Sequence, residues 1–138
     1  MEALSESFEE LTKNKEQTII VDGHYSHELF NEEQVKLVII LRKAPWVLHD
    51  VLQNRLYSYE KVWENLEAEI MGVIASEAQE YPQDKLHEVN TTDKSQEETA
   101  DEILKVIRGD KPTNFGPIDW VTYPEILRLL VNRTCTLS

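Results

Sequence analysis

A carboxylate and an imidazole follow directly on an apolar run near the start of the sequence. Residues 18–21 favour a strand, and Asp22, Gly23 and His24 come immediately after them. A continuous apolar run is typical of a strand buried on both faces of a parallel sheet. Ligands of such sheets bind beyond the carboxyl ends of the strands, where a carboxylate commonly serves Mg²⁺ and an imidazole can position water or a phosphate. The same residues also fit a strand that simply ends in a polar turn.

Three cations are candidates for a phosphate site. Arg42 and Lys43 end a second apolar run, so they are expected on the same side of the sheet as Asp22. Arg55 lies in a break between two predicted helices, where a lid could carry it over a transferring phosphoryl group. The alternatives are a solvated basic strand end for the first two and an exposed turn residue for Arg55.

The usual phosphate-cradling loop does not occur in these 138 residues. The four glycines are Gly23, Gly72, Gly109 and Gly116, and none of them opens a G-x-x-x-x-G-K-[ST] pattern. Tight phosphate binding through such a loop is therefore not predicted for this stretch of sequence alone.

Composition and charge limit the classes of function. The formal net charge of −12 argues against a nucleic-acid footprint but suits a basic protein partner. One cysteine makes no internal disulfide, the first residues do not read as a signal peptide, and no apolar run approaches a membrane span. We therefore expect an intracellular, cytoplasmic and soluble protein that binds neither nucleic acid directly nor a membrane.

The order of predicted elements favours an α/β fold with a parallel sheet whose centre is formed by the two apolar strands. Pro45, Ser58 and Ser95 are expected to begin helices, and Gly109 to follow the end of one. Strands are predicted over 18–21, 36–41 and 86–89, and helices over 2–13, 45–56, 59–80, 96–108 and 124–132.

Three stretches taken together resemble the adenylate kinase isoenzyme 6-type family, in particular its archaeal members. Residues 21–27 (VDGHYSH) are similar to the family's V-[DE]-G-H-x-[SA]-H, and residues 38–45 to its V-x-V-L-R-x-x-P. Residues 55–70 resemble the family's lid and lid helix, R-G-Y-S-E-E-K-I-x-E-N-[VI]-E-A-E-[IA]. Weaker support comes from residues 88–92, 100–104 and 116–120.

The resemblance implies a P-loop NTPase fold of the nucleoside monophosphate kinase type and an activity that converts ATP and AMP to two ADP, or hydrolyses ATP. It implies ATP and Mg²⁺ as cofactors, with Asp22 and His24 as the catalytic, Walker B-like pair and Asp22 serving the metal. Arg55 would contact ATP phosphates from a lid over residues 54–64, and Arg42 would lie near the nucleotide. Some members assist ribosome maturation by binding a ribosomal protein, so the alternative is a non-catalytic interaction protein.

The sequence departs from the family pattern in five ways. The family begins with a strand, a Walker A loop and an AMP-binding segment, whereas this sequence starts after them; we expect a fragment, a truncated product, or a partner or homodimer that covers the gap. In the lid, Leu56 replaces glycine, Tyr59 an acid and Trp63 a basic residue. The stretch after Trp120 is longer than usual, so we divide the chain into a kinase-like domain, 1–121, and a helical tail, 122–138.

Overall fold

Two parallel strands lie at the centre of the fold. The structure, a computed structural model, describes residues 18–23, 30–116 and 118–137. Strand β1 (Val38–Arg42) pairs in parallel with β2 (Leu86–Asn90), in a register that places Val38 opposite Leu86 and Arg42 opposite Asn90. The carboxyl ends of the two strands therefore lie side by side. The predicted helix over 2–13 and His24 lie outside the described residues.

Five helices surround the strand pair in the described part of the chain. Three of them lie between β1 and β2, as a parallel connection requires. Ser58 and Ser95 cap helices by accepting hydrogen bonds from the backbone N–H groups of Lys61 and Glu98, and Pro45 opens the first helix, as predicted. The helices are α1 (Pro45–Asn54), α2 (Tyr59–Met71), α3 (Val73–Ala78), α4 (Gln96–Ile107) and α5 (Pro124–Leu137).

The predicted strand over 18–21 is wrong for this structure. These residues have no regular secondary structure, and the side chain of Ile20 is 78% exposed. Strand preference takes effect only where neighbouring strands accept the backbone hydrogen bonds and cover the side chains. Among the described residues the sheet contains only β1 and β2, which correspond to the strands predicted over 36–41 and 86–89 and not to the predicted central pair, 18–21 and 36–41.

Two further predictions need correction. The long helix expected over 59–80 is broken at Gly72, whose φ of 62° is left-handed and ends α2 before α3 begins. The alternation of apolar and polar residues over 86–89 predicts an outer or late strand, but these four successive residues are all buried in β2. Its outer edge is covered by the segment 113–116, because the backbone N–H of Glu88 donates to the carbonyl of Asn114 at 2.8 Å.

The apolar core has three clusters, each set by one face of a helix. One joins the strands to α3, one joins α1, α2 and α5, and one surrounds Trp120. The buried members of the three clusters are Ile40, Ala75, Ala78, Tyr81 and Leu86; Leu52, Val62, Trp63, Leu66 and Leu129; and Ala44, Trp120 and Ile126.

No helix among the described residues combines the length and the apolar character that a membrane crossing needs.

A buried histidine fixes α4 and the 113–116 segment to β2. His87 is 2% exposed, and its Nδ1 accepts a hydrogen bond from the backbone N–H of Asn114 at 2.9 Å. Its Nε2 therefore carries the proton and donates to Glu102 at 3.0 Å. Glu102 also accepts from Lys94 at 2.7 Å and pairs with Lys111 at 3.1 Å. With these partners, His87 is a buried structural residue.

The Glu102 carboxylate should make folding stability depend on pH in acid. Partial burial raises the pKa of Glu102, but hydrogen bonds from Lys94, His87 and Lys111 outweigh burial and lower the pKa from 4.5 to about 2. Because the unfolded chain then takes up the proton first, stability is lost as pH falls through this window. Replacing Glu102 by Gln should lower the free energy of unfolding at pH 7 by about 1–3 kcal/mol.

Urea unfolding as a function of pH tests this expectation. The Glu102→Gln variant should lose less stability than the natural chain between about pH 4.5 and 2. Asp101→Asn is the matched control, because Asp101 is the exposed neighbour on the same helix. Equal acid slopes for the natural chain and Glu102→Gln would contradict the assigned pKa.

The turn between α1 and α2 contains a strained leucine. Leu56 has a φ of 61° and its side chain is 92% exposed, so no packing compensates for the left-handed backbone. The position is the one at which the family pattern has glycine. The amide of Leu56 donates to the carbonyl of Gln53 at 3.0 Å, which holds the turn in this shape.

Replacing Leu56 by Gly should stabilise the protein. Both Leu56→Gly and Leu56→Ala remove an exposed side chain, but only glycine adopts the left-handed backbone without steric cost. The glycine variant should therefore exceed the alanine variant by about 1 kcal/mol in free energy of unfolding, measured with urea. An alanine variant as stable as the glycine variant would show that residue 56 is not strained.

Candidate functional site

One buried guanidinium lies at the carboxyl end of β1. Arg42 is 4% exposed, and its Nε donates to Oε1 of Glu69 at 2.8 Å. Its Nη1 donates to Oε2 of Glu88 at 2.7 Å, and its Nη2 to the backbone carbonyl of Glu69 at 3.2 Å. Burial lowers the pKa of Arg42, but the hydrogen bonds and charges of Glu69 and Glu88 outweigh burial and raise it. Arg42 therefore stays charged and joins β1, β2 and α2.

The two carboxylates are themselves held by other parts of the chain. Oε1 of Glu69 also accepts from the indole N–H of Trp120 at 2.8 Å and from the backbone N–H of Lys43 at 3.3 Å. Oε1 of Glu88 accepts from the backbone N–H of Gly116 at 2.7 Å. The guanidinium of Arg42 lies 5.8 Å from the centre of the Trp120 ring. This Arg42 network ties Gly116 and Trp120 to β1, β2 and α2.

The strand ends are joined by a second set of hydrogen bonds. The backbone N–H and the hydroxyl of Thr91 donate to the carbonyl of Arg42 at 2.7 and 2.9 Å. The hydroxyl of Thr92 accepts from the backbone N–H of Ala44 at 2.9 Å and donates to Asn90 at 2.6 Å. The position of the turn that follows β1 is therefore set by residues 90–92.

The structure places the predicted site residues in two different settings. Arg42 is buried with two carboxylate partners, so the alternative of a solvated strand end is wrong for it. Asp22 and Arg55 are exposed, and among the described residues neither makes a hydrogen bond or ion pair with the other or with Arg42. His24 lies outside the described residues. The roles in phosphate and metal binding stay predictions.

Arg55 lies at the start of an exposed loop that follows α1. It directly follows α1, and its backbone N–H donates to the carbonyls of Val51 and Leu52 at 3.2 Å. Its guanidinium is free of salt bridges within the part of the chain that the structure describes. The helix beyond it begins at Tyr59, so residues 55–58 form a short exposed loop between two packed helices.

Sequence reasoning missed a cleft of about 460 Å³ between α1, α2 and α5. Aromatic side chains form much of its wall, and Oε2 of Glu125 beside it is buried without a hydrogen-bond partner among the described residues. The sequence feature that indicates this cleft is a pair of aromatic residues, Tyr59 and Trp63, at positions where the family pattern has an acid and a basic residue. Both side chains line the cleft. The wall consists of Trp46, His49, Asp50, Gln53, Tyr59, Trp63, Glu125, Arg128, Leu129, Asn132 and Arg133.

Among the described residues, Asp22 is a candidate carboxylate ligand for a metal ion, but there is no preformed set of metal ligands. No group of three or more His, Cys, Asp or Glu side chains suited to a metal occurs in the described part of the chain. Mg²⁺ is commonly held by one or two carboxylates together with substrate phosphates and water, so the exposed carboxylate of Asp22 has the right donor chemistry.

Comparison with known proteins shows the relationship of the chain. It is 39% identical over 131 residues to the Thermococcus gammatolerans protein named "Putative adenylate kinase", a match that covers 94% of this chain and 70% of the relative. The protein of the same name from Thermococcus kodakarensis matches with the same identity and coverage. That of Methanocaldococcus jannaschii is 37% identical over 115 residues, or 83% of this chain and 60% of the relative.

No family model matches the chain. The two Thermococcus relatives nevertheless exceed 30% identity over more than two thirds of their own length. The partial α/β fold, with its parallel strands, agrees with the P-loop NTPase fold that this relationship implies. The resemblance of residues 21–27, 38–45 and 55–70 is thereby confirmed at the level of the whole chain. The chain belongs to the family of archaeal adenylate kinases to which these relatives are assigned by name.

Proposed function

We propose that this chain supplies the lid and the magnesium side of an adenylate kinase-type site, which transfers a phosphoryl group from ATP to AMP. The observation that carries the proposal is the 39% identity over 131 residues to proteins named as adenylate kinases. The guanidinium of Arg55 supports it, because this side chain is exposed and makes no salt bridge with the described residues, and phosphoryl transfer needs a cation that can meet the phosphates.

In this proposal the exposed loop 55–58 brings the Arg55 guanidinium to the phosphate oxygens. A planar guanidinium donates two parallel hydrogen bonds to a phosphate and so fixes its orientation as well as its charge. Mg²⁺, when bound, neutralises charge on the β- and γ-phosphate oxygens. Asp22 would accept that ion or its water, and His24 would orient a phosphate or water beside it.

Arg42 serves the site indirectly in this account. Its Nε, Nη1 and Nη2 donate to Glu69 and Glu88, so it holds the strand ends rather than reaching outward. The backbone N–H donors of a Walker A loop are not among the 138 residues, and the proposal requires that they be supplied from outside them. We therefore expect little or no ATP–AMP phosphotransfer from the 138-residue polypeptide alone.

Activity is expected from a chimera that carries the family's Walker A segment ahead of residue 1. In this chimera Asp22→Ala and Arg55→Ala should each lower the rate of ADP formation from ATP and AMP by about 100-fold or more, because each removes a group that meets phosphate charge in the transition state. Arg128→Ala is the matched control, since Arg128 is also an exposed arginine.

Circular dichroism shows whether the chimera and its variants are folded, and the rate of ADP formation is compared only among folded proteins. A folded chimera without turnover, or one whose turnover survives Asp22→Ala, would contradict the proposal. Clear turnover by the 138-residue polypeptide itself, abolished by Asp22→Ala, would contradict the expectation that it needs a Walker A segment from elsewhere.

A non-catalytic role is the second candidate. The net charge of −12 favours association with a basic protein, and by family resemblance a ribosomal protein is the kind of partner to expect. This role is favoured if the folded chimera binds no ATP·Mg²⁺ in calorimetry, and it loses its simple form if the 138-residue polypeptide binds ATP·Mg²⁺ at micromolar concentration.

A further inference from the structure

We propose that α5 acts as a clamp on the lid, because it holds the first turns of α2 through Trp63 and Arg133. The term lid rests on the proposed function. The clamp itself is a contact between two helices, and it is tested below without any nucleotide.

Two of the positions at which the lid departs from the family pattern lie on the side of α2 that faces α5. Tyr59 and Trp63 are four residues apart on α2, and Glu67 is four residues further along. Residues spaced by four lie on one face of a helix. This stripe of three side chains is directed at α5.

Each member of the stripe meets Arg133. The Arg133 guanidinium lies 4.5 Å from the centre of the Trp63 ring, a distance at which a cation is attracted to the face of an indole. Its Nη1 donates to Oε1 of Glu67 at 2.6 Å. The hydrogen bonds and charges of Glu67 and Tyr59 together raise the pKa of Arg133. One side chain of α5 thus engages the first three turns of α2.

Apolar packing accompanies the charged contact. Trp63 is 4% exposed and Leu129 is 8% exposed, and they pack together in the cluster that also contains Leu52, Val62 and Leu66. The α1 side of α2 is therefore held by Val62 and Leu66, and the α5 side by Trp63. The loop 55–58 and the first turn of α2, residues 59–61, are exposed.

The clamp limits how the lid can close. Loops that close over a substrate move because few buried contacts hold them. Here the helix that follows the loop cannot swing unless Arg133 leaves Trp63 and Glu67. The lid accordingly has a clamped state, which is the one in this structure. It also has a released state, in which the contacts of Arg133 with Trp63 and Glu67 are broken.

Hydrogen exchange of the free 138-residue chain tests the clamp. Replacing Arg133 by Ala should speed exchange of the amides of residues 61–63 by about tenfold, since one cation–π contact and one ion pair are lost. Arg133 is partly exposed, with a side-chain exposure of 32%, so the variant is expected to fold. Arg128→Ala, an exposed arginine on the same helix, is the matched control.

A second variant approaches the clamp from the other helix. Trp63→Lys restores the basic type of residue that the family pattern has there, and it should speed the same amides while those of β2 and α4 keep their rates. Rates for Arg133→Ala equal to those of Arg128→Ala would overturn the clamp. An increase spread evenly over β2 and α4 would also overturn it, because α5 would then be ordinary core. Neither result depends on whether the chain binds nucleotide.

Discussion

The buried ion network of Arg42, Glu69 and Glu88 is the interaction on which the rest of the structure depends. It joins elements that lie 27 and 46 residues apart in the sequence, and it brings β1, β2, α2 and the 116–120 segment to a single guanidinium. A buried charge of this kind is costly unless every donor and acceptor has a partner. Here the partners are supplied by both carboxylates, a carbonyl, an indole and two backbone N–H groups.

This network accounts for the proximity in space of residues from several of the stretches that resemble the family. Arg42, Glu69, Glu88 and Trp120 come from four separate matched stretches, yet they form one framework at the ends of the parallel strands. The groups proposed to meet phosphates and metal, Asp22 and Arg55, are exposed instead. Framework and proposed chemistry are thus divided: the Arg42 network holds the strand ends and α2, whereas the side chains proposed to bind phosphate and metal are exposed.

Local features of the fold were predictable from sequence, and long-range ones were not. The caps at Ser58 and Ser95 follow from residue type and spacing, and β1 follows from its apolar run. The run at 18–21 has the same composition but no strand beside it among the described residues, so it stays irregular. The partners of Arg42 could not be predicted, because nothing in a single sequence shows which distant glutamate meets a given arginine.

The most direct test of this account is the free energy of unfolding of an Arg42→Met variant, with Lys43→Met as the control at the neighbouring position. Removing one partner of a buried ion network leaves the others charged and unpaired, so the variant should lose about 3–5 kcal/mol or fail to unfold cooperatively. The control should change by less than about 1 kcal/mol. An Arg42→Met variant as stable as the control would contradict the account that a buried ion network around Arg42 holds the fold together.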